Sequence, residues 1–124
     1  MPVECEQGPD AIMAALRDAP GEVRIEGRVR ISDCFQQAAP AASVQNTGAS
    51  VLAAARDLAD RARAKPHSDA SVQLGYLVGA VRSGAGTETG IHYEAVRRME
   101  QELSGVDVNT PEFRRGLEAG RERG

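Results

Sequence analysis

The residues of this chain that could do chemistry are few: two cysteines, two histidines, two tyrosines, and the polar neighbours of a glycine-rich run. That run, VQLGYLVGAVRSGAG over 72–86, raises the sharpest question. A phosphate-cradling loop of the Walker type needs G-x-x-x-x-G-K-[ST], because the lysine must reach the terminal phosphates and the hydroxyl must hold magnesium. Counting from Gly79, the second glycine falls at Gly84, but Ala85 stands in the lysine position and Gly86 follows it. A dinucleotide fingerprint should follow a strand and open a helix, whereas these glycines lie inside and at the end of a helical pattern. The packing reading accounts for more. Gly75 and Gly79 are four apart, hence on one stripe, where missing side chains admit a neighbouring backbone. Each glycine costs about 1 kcal/mol of helix propensity relative to alanine, so close packing must offset it. The alanine-rich stripe of residues 48–62 is the expected neighbour, with Gly84 and Gly86 as the helix stop.

The histidines lack metal-binding company. His92 stands in TGIHYEAVRR, where a zincin helix would need H-E-x-x-H; Tyr93 and Arg97 occupy the glutamate and second-histidine positions. His67 follows Pro66 in a linker. Cys5 and Cys34 are too far apart for a CxxC redox motif, and two thiols do not make a zinc site. In a reducing compartment they are free thiols; in an oxidising one they can pair and staple the N-terminal module. No G-x-S-x-G elbow occurs, and Asp57 with Asp60, or Glu100 with Glu102, read as solvated helix surface beside arginines. One pocket remains conceivable, formed by Tyr76, Arg82, His92 and Tyr93. No catalytic residue, metal or cofactor is assigned.

These groups must be positioned by a chain of 124 residues, the size of one domain with its own core. Its hydrophobic fraction of 41% is that of a globular protein. Aromatics are only 3%, so the core must be built from aliphatic side chains and alanine, which suits close-packed helices. Net charge is −3, from 15 basic and 18 acidic residues, which gives no overall attraction to nucleic acid. Arg114, Arg115, Arg121 and Arg123 could touch phosphates, but Glu112, Glu118 and Glu122 are interleaved with them. No segment approaches the roughly 20 apolar residues of a membrane span. MPVECEQGPD lacks the pattern of a secretory signal. The default location is therefore cytoplasmic, or extracytoplasmic if the chain is a processed form carrying a Cys5–Cys34 disulfide.

The expected fold is mainly α: a compact bundle of about five helices with a small N-terminal β-hairpin, in a single domain over 1–124. Residues 1–40 form a helix plus β-hairpin module, and 41–124 the helical bundle. Helical patterns run over 8–19, over SDCFQQAA at 32–39, over 43–65, over 70–83, over 91–104 and over 109–124, the last opening with an Asn-Thr cap. Segment 70–83 is apolar almost all round and should be central. EVRIEGRVRIS alternates with period two around Gly27, the pattern of a hairpin covering one end of the bundle. The last residues of the final helix are expected to fray. SVQNTG at Ser43 and SVQLG at Ser71 resemble each other, but two units do not make a repeat array.

The leading functional expectation is a small, non-catalytic, soluble helical domain that binds another protein or itself, or serves a structural role. Its contact surface would lie on the exposed side of 88–103 or along the C-terminal helix. The alternatives are a ligand-binding domain or enzyme using Tyr76, Arg82, His92 and Tyr93, and a nucleic-acid-binding regulator using the C-terminal arginines.

Overall fold

The computed structural model describes residues 2–35, 39–86 and 92–124. Among them are five α-helices: α1 (Pro9–Leu16), α2 (Ala41–Ala64), α3 (Asp69–Ala85), α4 (Tyr93–Gln101) and α5 (Pro111–Arg123). Two 3-10 turns, η1 (Val3–Glu6) and η2 (Ile31–Phe35), complete the order η1–α1–η2–α2–α3–α4–α5. Twelve of the 17 residues of α3 are buried, which makes it the axis around which the other elements pack.

The closest packing is between α3 and α5. A Cβ added at Gly75 would lie 2.3 Å from the Phe113 carbonyl oxygen, and one at Gly79 2.3 Å from that of Leu117. α5 answers with its own glycines. A Cβ at Gly116 would meet the Val72 carbonyl oxygen at 2.0 Å, and one at Gly120 that of Tyr76 at 2.2 Å. Partners advance together along both helices, so the two run in the same direction. No methyl fits at any of these four glycines, whose Cα–H groups face carbonyl oxygens across the seam. The partner of Gly75 and Gly79 is therefore α5, not the alanine stripe expected from sequence. That stripe lies against other neighbours: Ala54, Ala55, Leu58, Ala59 and Ala62 are fully buried in the core. Gly84 is not a helix stop but a third close approach, since a Cβ there would lie 2.3 Å from the Ser32 carbonyl oxygen of η2. Gly86, with φ 68°, ends the helix.

The expected β-hairpin does not form. Residues 22–31 make one isolated antiparallel bridge, Ile25 to Val29, and the described residues contain no strand. The reversal itself is tight, with Glu26 at φ 54° and Gly27 at φ 71°. The alternation also survives as burial, since Val23, Ile25 and Ile31 are all buried. What stops a ladder is the competition for a backbone donor. The Val23 N–H, which the next rung would pair with Ile31, donates instead to Tyr76 Oη at 3.4 Å. Beyond Ile31 the chain winds into η2 where a helix was expected over 32–39; residues 36–38 of that segment lie outside the described residues.

The remaining helices follow their end signals. Thr110 caps α5, its Oγ1 accepting from the Phe113 N–H at 3.1 Å, with Pro111 in the first turn. α5 does not fray before Arg123. The Gly124 carbonyl accepts from the Ser32 N–H at 2.9 Å, and Arg123 Nη1 donates to the Pro20 carbonyl. α4 is shorter than its periodicity, and Ile91 lies outside the described residues. Arg63 of α2 satisfies the carbonyls left open at its end, donating from Nη2 to Glu102 O at 2.7 Å and from Nε to Ser104 O at 2.9 Å.

Candidate functional site

An open groove of about 430 Å³ lies between the end of α3 and the length of α4. Arg82, Ala85 and Gly86 form one wall; Tyr93, Val96, Arg97 and Glu100 form the other. The α4 residues arrive there because positions 93, 96, 97 and 100 share one helical face. The opposite face of α4 is anchored in the core by Met99, which is fully buried. Tyr93 remains 45% exposed beside the groove.

Ion pairs fix the polar rim. Arg82 Nε donates to Glu100 Oε2 at 2.9 Å and so joins the two walls. Glu94 accepts from Arg97 Nη2 and from Arg98 Nε, each at 2.9 Å. The Arg97 and Arg98 hydrogen bonds hold the Glu94 carboxyl below the usual carboxylate range, and Glu94 in turn raises Arg97. Glu102, at the end of α4, pairs with Arg56 of α2 at 3.1 Å. Exposed pairs of this kind contribute little to stability. Their effect here is to hold guanidinium and carboxylate groups in place around an apolar floor of Ala85 and Val96.

Of the four side chains grouped from sequence, Arg82 and Tyr93 line the groove. The other two are placed elsewhere. Tyr76 lies in the core, its hydroxyl accepting from the Val23 N–H, and burial pushes its phenol above the ordinary value. His92 is buried where α4 begins and meets the Phe35 ring edge-on, with centroids 5.0 Å apart. Residues missed by sequence reasoning are Val96, Arg97 and Glu100. Their spacing of three, four and seven residues from Tyr93, which puts them on its helical face, is the signal available.

The other chemically capable residues are separately engaged. Cys5 and Cys34 form a disulfide joining η1 to η2. His67 is exposed and shares a 2.8 Å hydrogen bond with Glu112, which holds that carboxyl below its usual range. Arg114 donates to Asn109 Oδ1 at 3.3 Å, and Arg123 lies 3.8 Å from Glu122, so acidic and amide groups interrupt the C-terminal arginines. Among the described residues, no group of three or more His, Cys, Asp or Glu could hold a metal ion. No described helix is long and apolar enough to cross a membrane.

Comparison of this chain with protein-family models, with curated proteins and with solved structures finds no match.

Proposed function

We propose that this chain is a non-catalytic binding domain that engages a segment of another protein, or of a second copy of itself, at the α3–α4 groove. The observation that carries the reading is Tyr93, an exposed aromatic ring beside an apolar floor with arginines on both walls. Tyrosine and arginine are the side chains that most often dominate binding energy at protein interfaces, and pairing with carboxylates lowers the entropy lost when they are immobilised. The groups around the groove form ion pairs, which is the arrangement of a contact surface and not of a general acid and base. The Cys5–Cys34 disulfide supports an oxidising, extracytoplasmic setting for this binding.

The test is light scattering and affinity capture with the wild-type chain and a Tyr93→Ala/Arg97→Ala variant. The wild type is expected to self-associate or retain a partner, and the variant to lose at least tenfold in affinity with its helical content unchanged. A wild type that stays monomeric and retains nothing overturns the reading. The groove volume of about 430 Å³ also falls among small-molecule sites. That favours a second reading, a small ligand with an anionic group facing Arg82 or Arg97, in which a compound screen stabilises the wild type but not the variant.

A further inference from the structure

We propose that the Cys5–Cys34 disulfide is a redox latch on the start of α4, so that breaking it loosens the Tyr93 wall of the groove. Cys34 sits in η2 between two contacts that lead to the two walls. On one side Ser32 lies against Gly84, the residue before Ala85 of the first wall. On the other, Phe35 meets the ring of His92, the residue before Tyr93 of the second wall.

The two contacts are anchored differently. Ser32 is gripped by backbone: its N–H donates to the Gly124 carbonyl, and its carbonyl is pressed onto the glycine surface of α3. Phe35 is an apolar ring positioned by packing, and its nearest covalent restraint is the disulfide at Cys34. Loss of the crosslink therefore acts unequally, sparing the α3 wall and releasing the support behind α4.

Both cysteines are nearly inaccessible, at 1% and 2% exposure, so reduction must begin with movement of η1. That turn has four residues, Val3 is 65% exposed, and two of its links to α2 are long. Thr47 Oγ1 donates to Cys5 O at 3.4 Å, and Asn46 Nδ2 to Glu6 Oε1 at 3.5 Å. The reductant is a dithiol. One of its thiolates attacks a cysteine sulfur, the S–S bond breaks, and its second thiolate resolves the mixed disulfide. Cys5 and Cys34 leave as thiols, each carrying a proton, while the dithiol leaves as a disulfide. The latch holds whatever occupies the groove, so its test needs no ligand.

The chain has two histidines, so their ring resonances make a direct probe: His67 is exposed, and His92 lies under Phe35. With dithiothreitol, thiol titration should give two thiols and the circular dichroism should keep its helical signal. The His92 resonance should then move toward that of His67, and the amides of 96–99 should exchange at least tenfold faster, while those of 75–81 keep their protection. A Cys5→Ser/Cys34→Ser variant should show the same pattern without reductant. Two thiols with an unmoved His92 resonance and unchanged α4 exchange would overturn the latch. Equal loss of protection across α3, α4 and α5 would overturn it as well, since the bond would then be a general staple.

Discussion

α5 and α4 both pack on α3, but by opposite means. α5 is held backbone to backbone, through Gly75, Gly79, Gly116 and Gly120, at distances that leave no room for a Cβ. α4 is held by side chains: Met99 in the core, Gly48 of α2 against the Ala95 methyl, and ion pairs from Arg82 and Arg56. A backbone seam has no rotamers to adjust and admits one arrangement. A helix resting on side chains can shift by fractions of an ångström as rotamers and ion pairs rearrange. The α3–α4 groove lies on the adjustable side, with the rigid pair as its platform, which is the division of labour that the proposed binding role calls for.

Three measurements break or sharpen this contrast. The largest effect is expected from Gly116→Ala, whose methyl would sit 2.0 Å from a carbonyl oxygen of α3. Overpacking costs about 1–3 kcal/mol, and the upper end applies because backbone must move. Urea denaturation should show that loss, and a change below about 1 kcal/mol would mean the seam is looser than its geometry. Gly48→Ala is the counterpart on the α4 side. Its new methyl meets only the Ala95 side chain, at 3.2 Å. The gain in helix propensity, up to about 1 kcal/mol, then opposes a small strain, and the net change should stay within about 0.5 kcal/mol of zero. A loss as large as that of Gly116→Ala would erase the distinction between the two helices.

The smallest effect concerns Glu94. Its folded-state pKa is depressed, first by the Arg97 hydrogen bond and then by that of Arg98. The stabilisation from these pairs is therefore present above the ordinary carboxylate pKa and is lost as pH falls through the lowered value. Titration followed by carboxyl NMR should place Glu94 below the usual glutamate range, and Arg97→Ala should bring it back up. An unmoved midpoint in that variant would show that the rim pairs do not persist in solution.

How far the sequence discloses this arrangement depends on the range of the interactions involved. The helices of the bundle announce themselves through local signals: apolar spacing over 43–65 and 70–83, Thr110 with Pro111, and the glycine at 86. The glycine stripe on α3 is legible as a packing surface, but its partner is not. The matching stripe Gly116, Gly120 and Gly124 lies in a stretch dominated by charge, GLEAGRERG, where arginines and glutamates draw attention from the glycines between them. The hairpin fails for a reason no periodicity carries, since Val23 gives its N–H to a tyrosine 53 residues away. The groove is half legible. Arg82 and Tyr93 are recognisable as a pair, yet Tyr76 and His92 are drawn inward by core packing that the local pattern does not encode.

The parallel course of α3 and α5 has a consequence for the order in which the fold assembles. A polypeptide emerging from its amino end completes α3, then must travel back along it through α4 before the second glycine stripe exists at all. Throughout that interval the most apolar rod of the bundle carries a bare furrow of carbonyls and Cα–H groups, sized for a helix that has not yet been made. Nascent chains halted before Pro111 expose that furrow to any other small-residue helix nearby, and the closing of the furrow by α5 is the event that makes the molecule self-contained.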